Sequence, residues 1–260
     1  MKVLRWFAVS FSMYSKIPMP VFEWKDDDMA HSLIFFPMVG AVIGVISCAL
    51  NMLYPLAGIP VAVRIPLTML VPLLITGGFH VDGFMDTEDA MNSYASREKK
   101  LEILKDSHIG AFAVISLLKW GLGYAAAITA ILLNDKWDKK VLVILGMIFV
   151  VSRSLSGLTS ILMGKAKKDG MLYEETRNRQ KGTAICLSVY LAAAFAVMMI
   201  ISPVPGGAVS LAFLLYTFYY RYRVNREFGG VTGDTAGFFL TTAEVISLAV
   251  LAIVLYIWGG

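Results

Sequence analysis

Charged residues are scarce in this 260-residue chain, in which they make up only 16% of the sequence. Soluble domains contain about 25%. Hydrophobic residues reach 57%, and the mean hydropathy is +0.68. A soluble globular domain is excluded because too few polar residues are present to cover its surface. The composition predicts an all-α polytopic membrane protein, embedded in the lipid bilayer as one integral membrane domain over residues 1–260.

Other features are equally rare or missing. Cysteine occurs only twice, as Cys48 and Cys186 inside apolar runs, where the two residues are more typical of small hydrophobic side chains than of a disulfide and carry no redox or metal signal. No Walker or dinucleotide-binding fingerprint occurs, and no nucleic-acid partner is indicated. Residues 1–20 begin with basic side chains but have no small-residue cleavage site. They predict an interfacial amphipathic helix ending at Pro18 and Pro20 rather than a signal peptide.

Apolar runs long enough to span a membrane occur seven times, since a bilayer core of about 30 Å takes about 20 helical residues. The second run contains Pro66 and Pro72 and predicts a kinked or broken helix. Gly40 and Gly44 in the first run form a small-residue pair that lets another helix approach closely. Five or six spans are the alternative, if the sixth run is interfacial or the second re-entrant. The runs are Leu33–Tyr54, Pro60–Gly78, Ile109–Leu133, Val141–Met163, Thr183–Ile201, Val204–Tyr222 and Gly237–Trp258.

Lysine and arginine are unevenly distributed among the connections. With the N-terminus in the cytoplasm, seventeen lie inside and four outside, as the positive-inside rule expects. The connections 79–108, 164–181 and 223–236 then share the cytoplasmic face, where their residues can converge on one site. The inner set is Lys2, Arg5, Lys16, Lys25, Arg97, Lys99, Lys100, Lys105, Lys165, Lys167, Lys168, Arg177, Arg179, Lys181, Arg221, Arg223 and Arg226; the outer set is Arg64, Lys136, Lys139 and Lys140.

The stretch "GGFHVDGFMDTEDA", residues 77–90, concentrates acidic side chains between apolar runs. Asp82, Asp86 and Asp89 have the spacing i, i+4 and i+7 and share one helix face, where their charges repel. A divalent cation would neutralise them, and oxygen ligands favour Mg²⁺ or Mn²⁺. His80 fits a hydrogen-bonding or base role better than a ligand role. The alternative is a solvated acidic helix start, in which carboxylates favour the N-terminal dipole.

Basic groups supply candidates for binding an anionic substrate. The segment "REKKLEILKDSHIGAF", residues 97–112, predicts a short amphipathic interfacial helix. It ends where Lys105 and His108 could meet such a substrate. Arg153 lies within the fourth run and is a candidate phosphate contact, because its guanidinium binds such oxygens in a bidentate manner. Lys119, in the third run, either snorkels or pairs with Glu244.

The segment "GGVTGDTAG", residues 229–237, is rich in glycine and precedes the last apolar run. It predicts a flexible loop whose backbone N–H groups can bind a phosphate, with Asp234 able to join a metal. A glycine-rich turn is a weak signal by itself, but the predicted topology places it on the same face as the acidic stretch. The residues together predict a membrane enzyme that uses Mg²⁺ to transfer a phosphate-linked group.

Several motifs resemble, in order and spacing, those of the cobalamin synthase family: "KIPMP", "FFPMVG", "GGFHVDGFMDTEDA", "SREKKLEILKDSHIGAF" and "GGVTGDTAG". The resemblance implies a polytopic, Mg²⁺-dependent enzyme of the cytoplasmic (inner) membrane. It implies that adenosylcobinamide-GDP is the donor, that α-ribazole or its 5′-phosphate is the acceptor, and that GMP leaves. This is the nucleotide-loop assembly step of vitamin B12 synthesis.

The resemblance also assigns roles to matching positions. Mg²⁺ would be held by the acidic face and joined by Asp234, and Asp82 or His80 would deprotonate a ribose hydroxyl of the acceptor. The metal and catalytic cluster is His80, Asp82, Asp86 and Asp89, and the second part of the site is Lys105, Asp106, Ser107, Arg153, Thr232, Gly233 and Asp234. Two positions depart from the family pattern: Ala90 stands where glycine is common, and His108 stands where arginine or lysine is frequent. The sequence leaves open the number of metals and is compatible with a homo-oligomer.

Two rival classes place carboxylates in membrane helices. CDP-alcohol phosphotransferases and prenyltransferases both use them to bind metal and diphosphate, but this chain lacks the motif of either class. A transporter would use Asp82, Arg153 and Glu244 as an ion relay. Transporters commonly show inverted repeats in their hydropathy pattern, and none is seen in this sequence.

Overall fold

The computed structural model describes residues 2–134, 138–167, 169–176 and 181–258. In that part of the chain the regular structure is helical, apart from an isolated bridge between Lys165 and Val231. The prediction of an all-α multi-pass membrane protein is confirmed. The helices are α1 (Lys2–Tyr14), α2 (Asp26–Ser32), α3 (Phe36–Leu56), α4 (Val61–Thr76), α5 (Phe79–Asn92), α6 (Arg97–Ile103), α7 (Ala111–Leu132), α8 (Lys139–Leu162), α9 (Met171–Thr176), α10 (Lys181–Ile201), α11 (Pro203–Phe228) and α12 (Gly233–Trp258), with a 3₁₀ turn at Leu33–Phe35. Of the residues counted for orientation, Lys136, Lys168, Arg177 and Arg179 lie outside the described residues.

Five helical segments among the described residues are long and apolar enough to cross a membrane. A sixth crossing results if α4 and α5, which bend by 93° at their junction, count as one broken span. The expected break in the second run is confirmed, but it falls at Gly77 and Gly78, whereas Pro66 and Pro72 lie inside α4. The expectation of about seven spans is lowered to five or six, because α11 contains prolines and glycines at its start and arginines near its end. The five are Asp27–Leu56, Ala111–Leu132, Lys139–Leu162, Lys181–Ile201 and Gly233–Trp258.

Helix α8 forms the centre of the bundle, since 83% of its most apolar stretch is buried, against 17% for α10. Helix α3 packs on α8 through the small-residue pair that the sequence predicts. A Cβ atom on Gly40 would collide with the carbonyl group of Phe149, and one on Gly44 would lie 2.6 Å from the carbonyl oxygen of Gly146. The two backbones can approach this closely only because both positions are glycine.

The bend between α4 and α5 depends on two consecutive glycines. Gly77 and Gly78 have φ angles of +66° and +81°, in the left-handed region that favours glycine. The backbone N–H of Lys16 donates to the carbonyl oxygen of Ile75 at 2.7 Å, which fastens the segment after α1 beside the bend. The bend therefore directs α5, with its acidic residues, away from the axis of α4.

Candidate active site

A cavity of about 400 Å³ lies between α5, the start of α12 and the connection that follows α8. Its wall combines acidic and basic side chains from segments that are far apart in sequence. The expected convergence of the polar connections is thus present in the fold. The ionisable lining residues among those described are His80, Asp82, Lys105, Lys165, Lys167, Asp169, Glu175 and Asp234, together with the tyrosines Tyr14 and Tyr173.

Helices α5 and α12 cross in close contact at the edge of this cavity. A Cβ atom on Gly83 would lie 2.9 Å from the Cα atom of Asp234, and one on Gly237 would lie 2.7 Å from the carbonyl oxygen of His80. Both distances are shorter than a side chain tolerates, so the crossing requires glycine on each helix. It holds the acidic face of α5 beside Asp234 in the first turn of α12.

The predicted acidic face is present on α5. Asp86 interacts electrostatically with Asp82, Asp89, Asp234 and Lys167. Among the described residues no cation forms an ion pair with the three aspartates of α5, whereas Lys167 Nζ lies 4.0 Å from Asp234 Oδ2. In the same part of the chain no three histidine, cysteine or acidic side chains lie close enough to enclose a metal ion. The carboxylates therefore gather uncompensated charge without forming a closed cage.

The lysines of the cavity are positioned for an anion. Burial lowers the pKa of Lys167 from its usual value, although Asp234 opposes that shift. Lys165 Nζ donates to the carbonyl oxygen of Ser160 and reaches that of Met163 at 3.3 Å. Lys105 is exposed and pairs with Asp169 at 3.4 Å, an interaction that contributes little in water. A phosphate group entering the cavity would thus meet the ammonium groups of Lys105 and Lys167, whose ion pairs are long, at 3.4 and 4.0 Å.

The glycine-rich segment differs from the flexible loop that the sequence predicts. The N–H of Val231 donates to Gly164, and the N–H of Gly229 donates to Asn225. At the helix start, Thr232 N–H donates to Thr235 Oγ1 at 2.8 Å, and Thr235 N–H donates to Thr232 Oγ1 at 3.1 Å. The segment is a tight turn that ends in a capped helix, because these N–H groups have partners within the fold.

The residues after α6 only partly reach the cavity. Asp106 Oδ1 accepts hydrogen bonds from the backbone N–H of His108 at 3.0 Å and from its ring Nδ1 at 2.6 Å. These hydrogen bonds lower the pKa of Asp106. His108 is 90% exposed, and Asp106, Ser107 and His108 do not belong to the cavity wall. Of the four predicted positions here, the structure brings only Lys105 to the cavity.

His80 is buried at the start of α5 and packs among aromatic rings. Its ring stacks on that of Tyr14 at a centroid distance of 6.2 Å and lies 5.5 Å from that of Phe36. Neither ring nitrogen has a hydrogen-bond partner among the described residues. His80 also lines a second cavity, on its other side. Both nitrogens are therefore available to a ligand or to a proton transfer.

Arg153 lies outside the first cavity, in a buried ion pair with Glu244. Its Nη1 donates to Glu244 Oε1 at 2.6 Å, and Ser152 Oγ donates to the same oxygen at 2.7 Å. The sequence left two alternatives for Lys119, snorkelling or pairing with Glu244, and the second is wrong because Arg153 pairs with that carboxylate. Lys119 is exposed on α7, with its Nζ 5.9 Å from the ring centroid of Trp120, because its position on the helix points it away from the bundle.

A third buried group was missed by the sequence analysis. Glu175 in α9 is 4% exposed and accepts hydrogen bonds from Tyr14 Oη at 2.5 Å and Ser32 Oγ at 2.8 Å. Burial raises its pKa to about 7. No sequence signal distinguishes Glu175 from its neighbour Glu174 in a polar connection. The hydrogen-bond partners lie more than 140 positions away.

Fold and site together define a multi-pass membrane protein with a cavity lined by carboxylates and lysines at one end of the bundle. The chain belongs to the cobalamin-5-phosphate synthase family, whose model matches residues 6–252. It is accordingly a membrane-embedded transferase of cobalamin biosynthesis.

Three similar curated proteins are named adenosylcobinamide-GDP ribazoletransferase. One from Lachnoclostridium phytofermentans is 38% identical over 98% of this chain and 95% of its own length. Another from Clostridium perfringens (strain SM101) is 30% identical over 95% and 96%, and one from Shigella boydii is 30% identical over 96% and 100%. No solved structure matches the chain. The family match confirms the resemblance and leaves the rival classes without support.

Proposed function

We propose that this chain transfers the cobinamide phosphate group of adenosylcobinamide-GDP to α-ribazole or its 5′-phosphate. GMP is released, and adenosylcobalamin or its 5′-phosphate is formed. The observation that carries the proposal is the crossing of α5 and α12, which places carboxylates of both helices beside lysines at one cavity. Such a site suits a diphosphate, because phosphate transfer needs negative charge to be neutralised on the transferred and leaving groups.

A divalent cation fits the donor set of this site. Asp82, Asp86, Asp89 and Asp234 offer hard oxygen ligands, and no described cation pairs with the first three. Mg²⁺ commonly takes only one or two carboxylates and completes its shell with substrate phosphates and water. The absence of a closed cage among the described residues agrees with such a mode of binding. When bound, Mg²⁺ or Mn²⁺ would neutralise charge on the diphosphate.

Different side chains of the cavity bind the donor and accept the proton during the transfer. Lys167 and Lys105 bind phosphate oxygens of the donor at the cavity. A ribose hydroxyl of the acceptor forms the new O–P bond at the phosphorus that bears the cobinamide, while the bond to the GMP oxygen breaks. The hydroxyl proton passes to His80 or Asp82, both of which line the cavity. His80 suits this role because its ring nitrogens have no partner among the described residues.

The cavity faces the cytoplasm of the cell in this proposal, with the protein in the cytoplasmic membrane. The lysine and arginine distribution supports this orientation, since the lysines of the cavity belong to the set predicted to lie inside. The proposed substrates are soluble metabolites, and this orientation gives them access to the site.

The test is a GMP-release assay with the purified protein in mild detergent. The protein is incubated with adenosylcobinamide-GDP, α-ribazole and Mg²⁺, and GMP and adenosylcobalamin are separated by chromatography. We expect equimolar products that require both substrates and are lost on chelation with EDTA. A monodisperse protein that releases no GMP with either form of the acceptor would overturn the proposal.

A further inference from the structure

A second cavity of about 350 Å³ lies between α4, α5, α7 and α12, on the far side of His80. Its walls are mostly apolar and include the aromatic side chains of Phe84 and Trp120, whose rings meet edge to face at 6.2 Å. Leu70, Leu73 and Leu117 also line it and are exposed on the outer surface of the bundle. The cavity is within the size range of small-molecule sites.

Several polar atoms in this cavity have no partner. Trp120 Nε1, Tyr124 Oη, Arg153 Nε and both ring nitrogens of His80 are buried without a hydrogen bond among the described residues. Arg153 is 2% exposed and His80 8%. Most buried polar atoms in folded proteins are hydrogen-bonded, and leaving one without a partner is destabilising. Four such residues around one cavity indicate a ligand that accepts hydrogen bonds.

The charge of the cavity selects the class of ligand. Arg153 is already compensated by Glu244 at 2.6 Å, so the polar end of the cavity is neutral overall and offers a phosphate no net attraction. A lipid acyl chain would fill the apolar volume but would leave the N–H and O–H groups unsatisfied. A flat neutral ring that bears an unprotonated nitrogen would fill the apolar volume and accept a hydrogen bond from one of these donors.

The two cavities are adjacent, because His80 and Leu240 line both. A ligand in the second cavity can therefore place one end at His80, next to the site of the diphosphate. We propose that the second cavity binds the dimethylbenzimidazole base of the acceptor nucleoside, with the ribose directed past His80 toward the first cavity. This inference rests on the proposed function and adds a separate acceptor site to it.

Gly121 allows a direct test, because it lines the second cavity and a Cβ atom there would meet no atom within 4 Å. In Gly121→Leu the new side chain would occupy the cavity without displacing the backbone. The matched control is Gly207→Leu in α11, at a position that is equally open and lines neither cavity. Steady-state transfer rates are measured with each substrate varied in turn.

We expect Gly121→Leu to raise the KM for α-ribazole at least about tenfold, while the KM for adenosylcobinamide-GDP stays within about twofold. The rise in the acceptor KM should be smaller with ribosylbenzimidazole, which lacks the two methyl groups of the α-ribazole base. Trp120→Phe, which removes one donor and keeps an aromatic ring, should raise the acceptor KM about fivefold. Gly207→Leu should match the unmodified protein in all three measurements.

Three outcomes are distinguishable. If the unmodified protein does not transfer at all, the proposed function fails and the acceptor site fails with it. If it transfers but Gly121→Leu leaves the acceptor KM unchanged, the acceptor site alone is overturned. The same holds if Gly121→Leu raises the KM equally for both acceptors and for the donor, because a general distortion of the bundle would then explain the effect.

Discussion

Two groups of charges lie on either side of His80, and they are compensated very differently. Beside the first cavity, which Asp82 lines, the three aspartates of α5 have no ion-pair partner among the described residues, and Lys167 Nζ lies 4.0 Å from Asp234 Oδ2. In the second, Arg153 and Glu244 meet at 2.6 Å, and Ser152 supports the carboxylate. Charges that are paired within the fold need no ligand, whereas charges left uncompensated indicate where a ligand completes the structure.

The largest effect should follow from removing one uncompensated carboxylate. Asp86→Asn should lower the rate of GMP release by at least about a thousandfold, because metal-assisted neutralisation contributes several kcal/mol to such a transfer. The protein should remain folded, since Asp86 forms no hydrogen bond or ion pair with another described residue that the substitution would remove. The assay is GMP release per folded molecule in detergent.

Glu88→Gln is the matched control, on the same helix but outside the acidic face. Glu88 accepts hydrogen bonds from Ser116 and Asn92, which the amide oxygen of glutamine can also accept. This variant should transfer at the rate of the unmodified protein. Near-normal turnover by Asp86→Asn would contradict the proposed role of the acidic face in metal binding.

Breaking the compensated pair should instead reduce stability. Arg153→Met leaves Glu244 buried without its partner, and we expect the free energy of unfolding to fall by about 3–5 kcal/mol. Chemical denaturation in mild detergent measures this. The double variant with Glu244→Met should recover most of the loss, because no unpaired charge remains. A single variant as stable as the unmodified protein would contradict the structural role of the pair.

Glu175 should make stability depend on pH. Its pKa is raised to about 7 by burial, above the value near 4.5 of an exposed glutamate, so the folded state binds the proton more tightly than the unfolded chain. The free energy of unfolding therefore falls as the pH rises from about 4.5 to about 7 and then levels off, by about 3 kcal/mol.

Glu175→Gln keeps the acceptor for Tyr14 and Ser32 but cannot titrate. The difference in unfolding free energy between this variant and the unmodified protein should grow in favour of the variant between pH 5 and pH 8. Thermal unfolding across that range measures it. A difference that does not change with pH would show that Glu175 is ionised in the folded state throughout.

The crossing of α5 and α12 should not tolerate an added methyl group at Gly237. In Gly237→Ala the Cβ atom would lie 2.7 Å from the carbonyl oxygen of His80, so α5 must shift away from α12. We expect about 1–3 kcal/mol of destabilisation and about tenfold slower transfer. Gly182→Ala in α10, where a Cβ meets nothing within 4 Å, should change neither property. Equal rates for the two variants would mean that the crossing does not position the site.

Hydropathy predicts the membrane helices well in this chain. The expected run Ile109–Leu133 becomes Ala111–Leu132, and Thr183–Ile201 becomes Lys181–Ile201, because apolar length alone decides where such helices lie. The prolines of the second run predicted a kink or break, and the structure places that break at Gly77 and Gly78, beyond the prolines, which α4 accommodates. The acidic face was predictable because the spacing of Asp82, Asp86 and Asp89 is itself a helix property.

Contacts between helices were not predictable in the same way. Composition does not fix how a helix is rotated about its axis. The sequence therefore left Lys119 as a possible ion-pair partner of Glu244, whereas in the structure that partner is Arg153. Nor could the sequence distinguish Glu175 as buried, since Tyr14 and Ser32 come from the other end of the chain. Such pairings depend on packing between distant segments, which local patterns do not record.

Mn²⁺ binding to the purified protein tests most directly whether the uncompensated carboxylates, and not the compensated pair, form the metal site. Free Mn²⁺ is measured by electron paramagnetic resonance during titration, in the presence of adenosylcobinamide-GDP. We expect the unmodified protein to bind Mn²⁺, and the double variant that combines Arg153→Met with Glu244→Met to bind it as well. Asp86→Asn should bind the ion at least about tenfold more weakly. Equal uptake by Asp86→Asn and the unmodified protein would contradict the account.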